Sequence, residues 1–357
     1  MKKSFWILTL IIIAASAALA QDLPKPKKMP GVLTPEQTSA IQHGIALHDA
    51  KKFDEAITKY QSVLAENPDS TLAMYEISLS YFSKGDKSKS KEMAYKGANY
   101  IAEELPLFYG MIANVLDDEG KPDQAIKIYR EAEDILQSFP EMRRHLSSIH
   151  YNLGVTYVRL KKYPEARTEL KKAVENNFGY ASPHYLMAIV FNGTKYQIPA
   201  ILAAARLISL EHRTQRTRSS VDLITAALTP AKDPKSGNIT INLDFFAPKD
   251  EGDFAMFDLL LPTLTSIGDK KDKAKSDNER FVDAISTIIS MLGEDKKIRS
   301  TFVGRTYVPF MSDMKKSGHV ETFGNMVLYI KDNKNAEAAK WLDSNGTKLE
   351  AFLSWAK

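Results

Sequence analysis

The sequence predicts an all-α protein, a superhelix of short helical hairpins followed by a helical C-terminal domain with at most one short strand. Three observations carry this. Apolar residues recur at helical spacing through most of the chain. A two-helix pattern returns roughly every 34 residues between positions 37 and 212. One run, 239–245, shows the strict alternation of a half-buried strand, and no second run is as clear a partner for it. Composition sets the outer limits. At 357 residues, with 44% hydrophobic and 26% charged, the chain suits two globular cores. The absence of cysteine excludes disulfides, thiolate metal sites, a thiol nucleophile and a lipid-modified cysteine. A formal charge of +4, from 48 basic and 44 acidic residues, is too balanced to predict nucleic-acid binding.

The elements follow in order. Lys2 and Lys3 precede an apolar run at positions 5–19 that ends in Ala18-Leu19-Ala20, the small-x-small pattern of a cleaved signal peptide. Cleavage is expected between Ala20 and Gln21. The run is shorter than the roughly 20 residues a bilayer span needs, so the mature form is expected to carry no membrane span and to be periplasmic or secreted. Positions 21–36, with Pro24, Pro26 and Pro30 among lysines, favour an extended linker. Helical hairpins then fill 37–228. In the first, Ala40–Leu47 and the stretch Phe53, Ala56, Ile57 and Tyr60 flank the turn Ala50-Lys51-Lys52. In the fourth, Tyr151–Tyr157 and Ala166–Ala173 flank Lys161-Lys162. Gly44, Gly154, Ala56 and Ala166 supply the small residues that let two helices approach, and Tyr60, Leu47 and Tyr157 fill the space beside them.

This grammar resembles the tetratricopeptide repeat, a 34-residue helix-turn-helix unit. The copies fall near 37–70, 71–104, 106–139, 147–180 and 181–214. Ser78 and Ser90 stand in the second copy where Gly and Ala are usual. A lengthened helix and turn around Ser138-Phe139-Pro140-Glu141 is expected before the fourth. The resemblance covers about half the chain and implies a binding scaffold whose concave face is lined by first-helix residues. Carried onto this register, the groove residues are Ile41, Ile45 and His48; Tyr75, Leu79 and Phe82 beside Leu72; Asn114 with Asp117; Tyr151, Val155 and Arg159; and Tyr185 and Ile189 with Asn192. Aromatics at these places suit a peptide with apolar anchors.

Beyond the breaker-rich stretch 229–250, read as a linker or extended segment, helices are expected at 253–266, 277–292, 297–316, 320–331, 335–343 and 347–356. They form a C-terminal domain over 251–357 that matches no family. No catalytic constellation emerges, and no metal or cofactor is expected. The histidine pairs 43/48 and 145/150 lack the i, i+4 spacing of a helix-borne zinc site. His150 and His184, 34 apart, are placed to face each other across a repeat junction, in a packing role. Asp117-Asp118-Glu119 reads as a solvated turn and the lysine run 270–275 as a solvated loop. Arg213, Arg216 and Arg218 read as capping the end of the last repeat helix. The sequence therefore points to an exported, noncatalytic scaffold or adaptor that binds a protein or peptide, an envelope component. The rivals are an assembly subunit whose own C-terminal domain fills the groove, and a hydrolase of unrecognised type.

Overall fold

The computed structural model describes residues 22–229, 249–265 and 275–357. The expected signal segment with its Ala20–Gln21 junction, the alternating run 239–245 and most of the lysine run lie outside these residues. The described residues are α-helical, with one 3-10 segment and no strand beyond an isolated bridge.

Five hairpins come first. They pair α1 (Pro35–Asp49) with α2 (Phe53–Glu66), α3 (Thr71–Lys84) with α4 (Lys87–Gly97), α5 (Leu105–Asp118) with α6 (Pro122–Gln137), α7 (Leu146–Arg159) with α8 (Tyr163–Asn176), and α9 (Ala181–Gly193) with α10 (Gln197–Leu210). Local chemistry fixes their ends. Thr34 and Gln37 form a capping box at the start of α1, and Ser70 caps α3. Each hairpin turn places one residue in the left-handed region: Lys51, Gly85, Gly120, Lys161 and Lys195, with φ between 59° and 92°. Gly takes this conformation freely, whereas each of the three lysines holds it at a cost of about 1–2 kcal/mol. The extra length before the fourth hairpin is a 3-10 segment, Pro140–His145.

Small residues close each pair as expected. A β-carbon on Gly44 would lie 2.3 Å from the Tyr60 ring, and one on Gly154 would lie 3.0 Å from the tip of Leu170. In the degenerate second hairpin, Ser78 donates to the Ser90 backbone carbonyl at 2.8 Å, so the two polar substitutes satisfy each other inside the core. Gly44→Ala should therefore lower stability by about 1–3 kcal/mol through overpacking against a ring with no room to turn. Gly154→Ala, facing a flexible leucine, should cost less. Denaturant unfolding of the two variants checks the order, and equal midpoints would count against this packing account.

The segment from Asp22 to Leu33 is extended, as the prolines predict, and it is also docked. It runs back along the array. Leu23 is buried in the core of the second to fourth hairpins, and Tyr109 on α5 donates to the Pro24 carbonyl at 2.8 Å. Lys27 and Lys28 donate to the Asn99 carbonyl, Ile101 donates to Lys28, and Gly31 donates to Asp69.

Helix α11 (Gln215–Leu228) follows the fifth hairpin. The C-terminal helices are α12 (Ala255–Leu264), α13 (Asp277–Glu294), α14 (Lys296–Arg299), α15 (Phe302–Lys316), α16 (Val320–Lys331), α17 (Ala336–Ser344) and α18 (Gly346–Trp355). The helix expected at 297–316 is thus two. Thr301 caps α15 at the Gly304 N–H, and Gly304 lies so close to the Ile298 carbonyl that a β-carbon would sit 1.9 Å from it. These helices take α10 and α11 as their platform. One core joins Leu170, Ala203 and Ile224 to Ile288, Tyr307, Phe323 and Phe352, so the last hairpin and the C-terminal helices share their apolar interior.

Candidate functional site

Helices α1, α3, α5, α7 and α9 bring most of the expected groove residues to one face. Tyr180, at the junction of the fourth and fifth hairpins, comes close enough to disfavour ionisation of Tyr75 in the second. Each first helix also packs on the first helix of the next hairpin, α1 on α3, α3 on α5, α5 on α7 and α7 on α9, so the first helices line the inner side of the array. Burial first, then Glu76 and Tyr180, push the Tyr75 phenol up to about 12. Tyr75 also meets Phe108 edge-on, with centroids 6.0 Å apart, and Tyr151 meets Tyr180 edge-on at 5.6 Å. Burial raises the phenols of Tyr151 and Tyr180 as well.

Ile45, His48, Leu79, Phe82, Asn114, Val155 and Tyr185 are half-buried, and Arg159 and Ile189 are exposed. Ile41 is different. It is 1% exposed and belongs to the core that contains Ala56, Tyr60 and Ile77, because it lies on the stripe of α1 turned toward α2 and α3. Several groove positions are held by internal bonds. His48 Nδ1 pairs with Ser80 at 2.8 Å, Tyr129 donates to Asn114 Oδ1, and Asp117 accepts from Thr156 at 2.9 Å and from Arg159 at 3.0 Å. The acidic turn is therefore tied to neighbouring hairpins, with Asp118 on Lys87 and Glu119 on Lys91 and Lys121.

At the C-terminal mouth the structure adds residues that the repeat register missed. Tyr180, Ser182 and Arg216 join Tyr151 and Tyr185 there. Arg216 donates to Ser182 at 2.9 Å, pairs with Glu211 and lies over the Tyr185 ring. Capping of α10 falls instead to His212, whose Nδ1 meets the Ile208 carbonyl at 2.9 Å. Tyr180 sits in extended backbone before α9, where helical periodicity gives no signal.

His150 and His184 do not face each other. His184 is wholly buried against the C-terminal helices, with Nε2–H donating to the Phe178 carbonyl at 2.9 Å and Nδ1 accepting from Tyr307 at 2.8 Å. His150 lies between Glu169, 2.9 Å from Nδ1, and Glu133, 3.7 Å from Nε2. These three residues offer ligand atoms within 4.8 Å of one another, an arrangement a metal ion could use. Arg130 and Lys172 already balance the two carboxylates, however, with Arg130 at 2.6 Å from Glu169 and 2.9 Å from Glu133. A divalent ion would have to displace both cations, so the cluster is satisfied as an ion-pair network. Burial alone would raise Glu169; its hydrogen bonds from His150 and Arg130 outweigh that and hold the carboxyl down at about 2.

Family models for the tetratricopeptide repeat match residues 41–90, and again 107–135 and 147–179. The five hairpins belong to the tetratricopeptide-repeat family. Such arrays are protein-interaction scaffolds. Among solved structures, the chain is similar to a thermophilic tetratricopeptide-repeat protein of Thermus thermophilus, at 15% identity and a TM-score of 0.44, over 53% of this chain and 98% of that one. It is also similar to PilF of Pseudomonas aeruginosa, at 17% identity and a TM-score of 0.43, over 54% and 82% of the two chains. A third is PilW, a type IV pilus biogenesis factor, at 13% identity and a TM-score of 0.42, over 54% and 84%. No curated protein matches the chain. Among the described residues no helix is long and apolar enough to cross a membrane. The tetratricopeptide array presents its inner side through α1, α3, α5, α7 and α9, whereas the C-terminal helices dock chiefly on α10 and α11 and also reach α8 of the fourth hairpin, where Lys171 lies over the Phe302 ring.

Proposed function

We propose that the protein is an exported, noncatalytic scaffold that holds a protein or peptide of the cell envelope in the concave groove of its repeat array. The observation that carries this is the row of half-buried tyrosines, Tyr75, Tyr151, Tyr180 and Tyr185, on or beside the first helices that line the inner side of the array. Rings of this kind offer large contact area at low entropic cost and are the usual anchors of an interface. The C-terminal helices support the open-groove reading over the filled one, because α12, α15 and α16 pack mainly on α10 and α11. The basic, then apolar, then small-residue order of positions 1–20 supports export.

The test is capture from envelope extract by the mature chain, compared with a Tyr75→Ala, Tyr151→Ala variant. Each truncation should weaken capture by more than about 1 kcal/mol while stability moves little. If the variant lost stability by about 3 kcal/mol or more and captured as before, these rings would be core and the groove reading would fail.

A further inference from the structure

A cleft of about 360 Å³ lies between α13, α16 and α17 among the C-terminal helices, a size that suits a small ligand. Four carboxylates line it, Glu279 and Asp283 on α13, Glu321 on α16 and Glu337 on α17, against one lysine, Lys275. Lys275 pairs with Asp283 at 2.7 Å, and Lys348, which does not line the cleft, stands 3.5 Å from Glu321 and 5.4 Å from the centre of the Trp341 ring. Glu279 and Glu337 meet no cation among the described residues. One residue draws them together, since the Ser276 N–H donates to Glu279 at 2.8 Å and the Ser276 hydroxyl donates to Glu337 at 2.5 Å. Two like charges are thereby held side by side across a neutral serine, where a cation would relieve their repulsion.

A buried acceptor points the same way. Asn325 on α16 lines the cleft and is only 5% exposed, and its Nδ2 donates to the Glu321 backbone carbonyl at 2.9 Å. A carbonyl can only accept, so this bond fixes the amide's orientation and leaves Oδ1 for the cleft, with no partner among the described residues. An acceptor so placed calls for a donor. Asn278 makes no such demand, because its amide and that of Asn335 bond to each other at 3.2 and 3.0 Å. Trp341 spends its N–H on Glu321 at 2.9 Å, and its ring joins Val282 as apolar wall.

A single metal ion matches this layout poorly. Among the described residues only Glu133, His150 and Glu169 bring three carboxylate or imidazole ligand atoms within 4.8 Å of one another, so no three of the cleft's carboxylates converge on one point. The acceptors fall instead at two ends, Glu279 and Glu337 beside Ser276, and Glu321 and Asn325 Oδ1 beside Trp341. Glu337 and Trp341 stand one turn apart on α17, about 6 Å along its axis. A ligand with an ammonium at each end and methylenes between them meets both ends and the apolar wall.

We infer that the cleft binds a linear aliphatic diamine, with one ammonium on Glu279 and Glu337 and the other on Glu321 and Asn325 Oδ1. Isothermal titration calorimetry of 1,4-diaminobutane into the full chain at low ionic strength tests this, beside butylamine, calcium chloride and a blocked Ala-Lys-Ala peptide. The diamine should bind at one site per chain and about tenfold more tightly than any of the three. Glu279→Gln with Glu337→Gln keeps an oxygen for each Ser276 bond and should weaken the diamine about tenfold. Glu321→Gln, which keeps an acceptor for Trp341, should weaken it roughly fivefold. Glu92→Gln, on the exposed side of α4, should leave it unchanged. Melting temperatures are checked first, and Glu337→Gln alone reads the same end if the double variant melts early. No saturable diamine binding, equal binding of butylamine, tighter binding of calcium or of the peptide, full binding by the Glu279 and Glu337 variants, or an equal loss in Glu92→Gln would each overturn the inference. So would diamine binding that appears only after Lys270, Lys271 and Lys273 are changed to Gln, because the chain's own lysines would then be the cleft's occupant.

Discussion

Arg167→Ala is expected to lower folding stability by about 3–5 kcal/mol, the cost of breaking a buried ion pair and leaving its partner uncompensated. Arg167 lies on α8, and its side chain is nearly all out of water. Its Nε donates to Glu251 at 3.0 Å and one terminal nitrogen donates to Asp250 at 2.6 Å, while the guanidinium rests over the Tyr196 ring. Glu251 is equally buried and keeps only Lys171, at 2.5 Å, once the arginine is gone. Asp250 is more than half exposed, so its share is small. Glu251→Gln alone should also destabilise, by stranding the guanidinium. The combination of Arg167→Ala with Glu251→Gln should cost less than the sum of the two, because each removes the charge the other leaves bare. Denaturant unfolding of the three variants measures this, and simple additivity would show that the pair is not coupled. Because the last hairpin and the C-terminal helices share one core, the loss should shift the unfolding transition as a whole.

The repeat register was legible because it rests on local signals. Gly44, Ala56, Gly154 and Ala166 are small for a reason a sequence displays, and the turn residues Lys51, Gly85, Gly120, Lys161 and Lys195 recur in step with them. The same register placed Tyr75, Tyr151 and Tyr185 on the first helices. It misplaced Ile41, since the stripe that faces solvent on an inner first helix is partly turned inward on α1, where Leu33 and α3 pack beside it. It missed Tyr180 and Arg216 because neither sits on the periodic stripe. Contacts between distant segments left no trace in spacing. Nothing in Pro24 or Tyr109 alone shows that they meet across 85 residues, and His184 reads like His150 until Tyr307 arrives from 123 residues away. The C-terminal helices were found one by one from periodicity, and their platform on α10 and α11 was not, since an apolar face does not name what it will cover.

Asp258→Asn and His184→Gln should change the pH dependence of stability in opposite directions. Burial first, offset in part by the bond to Phe178, holds the His184 imidazole down at about 3, so the native protein keeps it neutral far below its ordinary 6.5. The unfolded chain therefore binds one more proton than the native one between about pH 6.5 and 3. Stability from this residue is full above that window and falls as pH drops through it, by as much as about 1.4 kcal/mol per unit. Asp258 on α12 does the reverse. Burial raises its carboxyl from 3.8 to about 6, despite the Ile198 N–H it accepts at 3.3 Å. Here the native state binds the extra proton between about pH 6 and 4, so stability from this residue is present at low pH and lost as pH rises. Both residues anchor partners to α9 or α10, and between about pH 6 and 4 their proton balances cancel. Asp258→Asn keeps an oxygen for Ile198 and removes the titration, so on acidification from pH 6 to 4 it should lose as much as about 2 kcal/mol relative to wild type. His184→Gln keeps an N–H for the Phe178 carbonyl and, after its own loss near pH 7, should regain about as much over the same interval. Chemical denaturation at pH 4, 5, 6 and 7 reads both slopes against wild type, which cancels every other titrating group to first order. Parallel curves for all three proteins would mean that neither side chain changes its proton affinity on folding, and the account of this junction as a dry interface between array and C-terminal helices would go with them.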